Sequence, residues 1–151
     1  MRPPLLSRRS TLAFLSAFFA LPFGPSASAV DERRKSFVDK AFEMKRLAES
    51  RGDQAYGAVI VRGEEFVGLG PNRVIQKKDW TAHAEREAIR DAQGRLGTND
   101  LSDCVMYSTS RPCENCEGAA ANANIARMFY GADATDATDA GRPRSASGPT
   151  R

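Results

Sequence analysis

The stretch CVMYSTSRPCENCEGAAANANIARMFY, residues 104–130, carries the reading on which the fold turns. Cys104 to Ser108 is a short apolar run with the composition of a strand. Pro112 opens an alanine-rich segment, Cys113 to Asn122, that reads as a helix, because proline's missing N–H costs nothing in a first turn. Ile125 to Tyr130 returns to strand character. The same alternation continues upstream. Ala82 to Gln93, rich in Ala, Glu and Arg behind Thr81 as N-cap, reads as a second helix. Gly57 to Val61 and Phe66 to Leu69, joined by the charged turn Arg62 to Glu65, read as a hairpin that Gly70-Pro71-Asn72 breaks. From Asp31 to Ser50, Phe37, Val38, Ala41, Phe42, Met44 and Leu47 recur at helical spacing, and Arg51-Gly52 closes the pattern. The expectation is a mixed α/β layer fold.

With 151 residues the chain holds about one domain. The first 29 residues carry Arg2, Arg8 and Arg9 and no acid, which leaves 19 bases against 19 acids in the rest. That balance makes a polynucleotide partner an unfavoured reading, because such binding leaves a basic footprint. Residues 1–29 have the parts of an export signal: Arg8 and Arg9, the apolar run Leu12 to Phe23, and Ala27-Ser28-Ala29 before a cleavage point. The paired arginines resemble a twin-arginine signal, so the expected location is the bacterial periplasm, or the cytoplasm if the leader does not function. A run from 12 to 23 covers roughly 18 Å of a hydrocarbon core of about 30 Å, so no membrane anchor is expected. Residues 132–151 contain no Val, Ile, Leu, Met, Phe, Trp, Tyr or Cys and read as a disordered polar tail. The domain is thus expected over residues 30–131.

Two short stretches carry the chemistry, His83-Ala84-Glu85 and Pro112-Cys113-Glu114-Asn115-Cys116. Cys113 and Cys116, three apart in a first turn, put both sulfurs on one side of the helix near its positive end, where thiolates are favoured. With His83, the sole histidine, they make an S, S, N set that suits one zinc ion per chain. Three ligands leave a fourth position open, which is the pattern of catalysis rather than scaffolding. Glu85 follows His83 by two, and positions i and i+2 do not share a helix face. Both converge on one point only if that point lies off the start of the second helix. A carboxylate there can move protons for a water attacking a ring carbon.

His-Ala-Glu followed by Pro-Cys-x-x-Cys resembles the zinc deaminases of the cytidine and deoxycytidylate deaminase superfamily, with its H-x-E and P-C-x-x-C signature. Gly57 to Val61, Gly70-Pro71-Asn72-Arg73, Asp79 to Glu85, Asp103 to Ser108 and Phe129-Tyr130-Gly131 are similar to the guanine deaminase and tRNA adenosine deaminase branch. The resemblance covers about residues 35 to 140. It implies that His83, Cys113 and Cys116 bind zinc, that Glu85 shuttles protons, and that Asn72 contacts base or ribose. It also implies a three-layer α/β/α domain with a mixed sheet and, often, a homodimer. Arg111 stands where purine-acting members usually have Glu, and Trp80 where Pro is common. Relatives continue past the Tyr-Gly strand with another strand and helices, so the domain is expected to be truncated at its C-terminus.

Each residue also has a plainer reading. Cys113 and Cys116 alone could be a redox dithiol or a disulfide. Asn72 could be a turn residue, and Cys104 reads as a small buried hydrophobe. Trp80 either stacks on a base or closes the core. With Ala84, Asn72 and Trp80 make up the candidate substrate residues. The favoured function is a zinc-dependent deaminase of a free nucleobase or nucleoside, a guanine-like purine first, releasing ammonia. The alternatives are a deaminase of cytosine compounds or tRNA adenosine, and a truncated zinc-stabilised domain without turnover.

Overall fold

The computed structural model describes residues 26–137. The expected leader up to residue 25 and the tail beyond 137 lie outside the described residues. Helix α1 (Ala27–Ser50) is followed by β1 (Gly57–Arg62), β2 (Glu65–Pro71), a four-residue α2 (Val74–Lys77), α3 (Ala84–Leu96), β3 (Cys104–Ser108), α4 (Glu114–Asn122), β4 (Arg127–Tyr130) and a two-residue β5 (Thr135–Asp136). The strands form one sheet in the order β2-β1-β3-β4-β5. Only β3 and β4 run parallel, and α4 makes the crossover between them; the other pairs are antiparallel. No described helix is long and apolar enough to cross a membrane.

Side chains alternate across this sheet, and each face receives its own helices. On one face, Phe37, Val38, Ala41 and Met44 of α1 cover Val59, Val61, Tyr107 and Phe129. On the other, Ala84, Ala88, Ile89 and Ala92 of α3 and Ala120 of α4 cover Ala58, Ile60, Cys104, Met106 and Met128. The result is the three-layer α/β/α arrangement with a mixed sheet. Alanine dominates the α3 side because that helix lies almost on the backbone of β2. A methyl group at Gly70 would fall 2.0 Å from the Ala84 carbonyl oxygen, and one at Gly68 would fall 2.4 Å from that of Ala88. Those two glycines set how close the start of α3 comes to the sheet.

Several boundaries differ from the sequence expectation. Helix α1 begins at Ala27, so Ala27-Ser28-Ala29 forms its first turn, with Ser26 as N-cap. Strand β2 runs through Pro71, which an edge strand tolerates because its outer side needs no N–H donor. Thr81 does not cap α3. The turn Asp79 to Ala82 precedes the helix and His83 takes the N-cap position. Residues 132–137, expected within the polar tail, instead fold back on the sheet. Phe129 and Tyr130 pair with Asp136 and Thr135, and Arg127 meets Asp136 at 3.0 Å. Backbone pairing needs no apolar side chain, and Ala134 and Ala137 are small enough to be buried there.

Candidate active site

The site forms where two helices begin. His83 is the N-cap of α3 and Cys113 the N-cap of α4, both in extended backbone conformation, and neither side chain makes a capping hydrogen bond. Caps are normally Ser, Thr, Asp or Asn because their oxygens satisfy the free N–H groups of the first turn. An imidazole and a thiol there contribute little to the helices. Their side chains turn toward each other instead, a local rule broken in favour of the site.

His83 Nδ1 lies 3.7 Å from Cys113 Sγ and 3.5 Å from Cys116 Sγ. The three ligand atoms all lie within 4.8 Å of one another. Tetrahedral zinc, with Zn–S near 2.3 Å and Zn–N near 2.0 Å, requires an N···S separation of about 3.5 Å. The donor set therefore fits zinc in both chemistry and spacing. Its electrostatics agree. Burial first, and then the neighbouring Glu85 carboxylate and Cys113, pushes the Cys116 thiol up, which favours its neutral form. A dication reverses that logic. All three cysteines are free thiols, and Cys104 sits apart in β3, fully buried, its thiol pushed up to about 11 by burial first and Asp103 second.

Glu85 stands in the first turn of α3 and is 6% exposed. Burial raises its carboxyl above the ordinary range, against the opposing pull of its own backbone N–H, Cys116 and His83. It lines one cavity of about 560 Å³ with His83, Cys113, Asn72, Gln54, Tyr56, Ser110 and Arg111. That volume lies within the range of small-molecule sites. The cluster that could hold a metal lies off the start of α3, the one placement that lets His83 and Glu85 meet.

The remaining candidates divide. Asn72, just past β2, is 2% exposed and forms part of the cavity wall. Ala84 sends its methyl group into the core beneath the sheet. Trp80 is 71% exposed, which excludes core closure, and it is not part of the cavity lining. Gln54, Tyr56 and Ser110 were not singled out from sequence. Their one signal is position, just before the start of β1 and just after the end of β3, which adjoin at one end of the sheet, where ligands of α/β sheets collect. Behind the wall, Glu87 is 7% exposed and receives Lys77 at 2.7 Å and Arg90, which tie α2 and the Asp79 turn to α3.

Residues 31–132 match the cytidine and deoxycytidylate deaminase zinc-binding region. The chain belongs to this family. Within the deaminase family it is 44% identical over 86 residues to the guanine deaminase of Bacillus subtilis (strain 168), a match covering 57% of this chain and 55% of that protein. It is 39% identical over 89 residues to the tRNA-specific adenosine deaminase of Buchnera aphidicola subsp. Schizaphis graminum, covering 59% of each. The chain thus spans a little over half the length of these curated relatives. Among solved structures, the B. subtilis guanine deaminase superposes with a TM-score of 0.62 at 38% identity, over 70% of this chain and 68% of that one. A tRNA:A34 deaminase studied for A-to-I editing at the wobble position superposes with a TM-score of 0.62 at 35% identity, over 64% and 75%.

Proposed function

We propose that the chain is a zinc-dependent hydrolytic deaminase of a small nucleobase or nucleoside, with a guanine-like purine favoured, in which water replaces an exocyclic amine and ammonia leaves. The observation that carries this reading is the buried Glu85 carboxylate in the same cavity as an N, S, S set spaced for zinc. A structural metal needs no proton carrier beside it. His83, Cys113 and Cys116 hold the ion, which supplies the Lewis acidity that makes water a nucleophile near neutral pH.

Glu85 takes the proton that the attacking water loses and delivers it to the adjacent ring nitrogen. It takes the second proton of that water and passes it to the amine, which departs as ammonia while the ring carbon becomes a carbonyl. The raised affinity of its carboxyl for protons suits a group that both accepts and returns them. Asn72 orients the ring from the cavity wall. Tyr56, half exposed at the mouth, offers a face on which a flat ring can stack. A small substrate is preferred to tRNA because bases and acids outside the first 29 residues are equal in number.

The test is ammonia release by zinc-loaded protein across guanine, adenine, cytosine, their nucleosides and a tRNA anticodon stem. Purine turnover is expected. Glu85→Ala should retain stoichiometric zinc while losing about 100-fold or more in kcat, the scale of a general acid–base. Full turnover by Glu85→Ala would remove the mechanism, and activity confined to the anticodon stem would replace the substrate.

A further inference from the structure

A buried polar knot behind the cavity wall has no part in the proton transfers above. Asn72 Nδ2 donates to Asp53 Oδ1 at 2.8 Å and to Gln54 Oε1 at 3.3 Å. Asp53, 8% exposed in the α1–β1 loop, also accepts the backbone N–H of Gln54 at 2.8 Å and that of Gln76 at 2.9 Å. Burial pushes the Asp53 carboxyl up, but these donors together outweigh it and hold the group below its ordinary value, so it is ionised at neutral pH. An ionised carboxylate only accepts. Heavy-atom positions alone leave the two ends of an asparagine amide interchangeable, but a group facing a carboxylate must be the donor, so the nitrogen of Asn72 is the end turned to Asp53. Both its N–H bonds are then spent on Asp53 and Gln54. The carbonyl oxygen is the corner of the amide left for the cavity that Asn72 lines with His83 and Glu85.

We propose that Asp53 is a positioning residue that locks the Asn72 amide with Oδ1 toward the cavity, so that the site selects a ligand presenting N–H or O–H at that point and rejects one presenting a bare lone pair. Two acceptors facing each other in a buried site leave both unpaired, and sites built on one hydrogen bond discriminate strongly on this account. The identity of the ligand as a purine rests on the deaminase reading; the orientation of the amide does not. Asparagine at position 53 offers a donor as well as an acceptor, so it frees Asn72 to flip and present N–H instead.

The experiment has two arms. In the first, zinc-loaded wild type and Asp53→Asn are titrated with guanine, with 1-methylguanine and 9-methylguanine, which lose the N–H at one ring position each, and with 9-deazaguanine, which moves the N–H from position 9 to position 7. At least one substitution is expected to shift Kd by about tenfold or more in wild type, the scale of one hydrogen bond. In Asp53→Asn that ratio is expected to collapse to within about threefold, with KM for the turned-over base rising more than kcat falls. A folded, zinc-loaded Asp53→Asn that discriminates as wild type does overturns the proposal. The second arm uses wild type alone and does not depend on the variant folding or on any purine binding. Both Nδ2 protons of Asn72, assigned in wild type through their correlation with its own β-protons, should exchange with solvent at least about tenfold more slowly than those of exposed Asn99 and Asn122. Equal exchange rates overturn the proposal. Protected Asn72 protons in a protein that binds no purine support the lock and remove the purine reading instead.

Discussion

Asp53 and Glu85 are two buried carboxyls displaced in opposite directions. Burial acts on both; Asp53 collects enough donors to overcome it and Glu85 does not. The consequence for stability has a definite sign. A carboxyl held below its unfolded value stabilises the fold above that unfolded value, near 3.9, and the contribution disappears as pH falls through the lower folded value. Melting of metal-free protein between pH 7 and pH 3 should therefore show wild type ahead of Asp53→Asn at neutral pH, with the gap closing below about pH 4. A gap that stays constant with pH would mean that Asp53 acts by shape and not by charge. At this scale the cluster that could hold a metal was legible because so few residues bear the needed atoms: one histidine and a Cys-x-x-Cys pair leave little to choose among. The carboxylate was legible because its awkward i+2 offset from His83 is met only at a helix start. Gln54, Tyr56 and Ser110 were not, since a loop's composition does not say which way it faces. Trp80 could be read two ways because aromatic character is compatible with either a core or a ligand, and its 71% exposure rules out the core.

The close seat of α3 on β2 decides where His83 and Glu85 end up. Gly70→Ala places a methyl group 2.0 Å from the Ala84 carbonyl oxygen, a backbone atom that yields only if the helix start moves. The expected result is a loss of about 1–3 kcal/mol or more together with weaker zinc binding, read by denaturant melts and by zinc titration. Gly57→Ala, which presses on Lys45 and Ala41 of α1 across the other face, is expected to cost stability while sparing the zinc affinity of the molecules that remain folded. Equal loss of zinc affinity in both would show that the site is not positioned through α3. Period and turn chemistry were enough to place β1, β3 and α4 to within a residue, because each is a run of one character between clear breakers. The N-terminus of α3 was missed by the rules that usually find one. Thr81 has the chemistry of a cap, but its backbone N–H goes to the Asp79 carboxylate at 2.8 Å and its hydroxyl receives Arg90 at 3.2 Å. Helix α2 is a single turn with no period to detect, and β5 is held by backbone pairing to β4, which side-chain patterns do not report.

Across the whole molecule, His83 and Cys113 lie 30 residues apart in sequence yet come together at the starts of two helices on one face of the sheet, where a shared metal would tie both. Bound zinc should therefore stabilise the fold and not only the site. At an ion concentration about 100 times Kd the gain is roughly 2.7 kcal/mol, so stripping the metal with a chelator should lower Tm on the order of 10 °C, and adding zinc back should restore it. An unchanged Tm would mean that the two helix starts hold together without it. A mixed α/β layer fold was legible as alternating elements, and its three-layer form only through the family resemblance. Which helices share a face was not, because that depends on strand order, and the order β2-β1-β3-β4-β5 is set by long-range pairing. The sulfurs differ in their access to water: Cys104 and Cys116 are sealed off, and only Cys113 reaches the surface. In the native fold a thiol-specific dye should label the stripped protein at one equivalent and the zinc-loaded protein at none, so the chain carries its own gauge of how full it is.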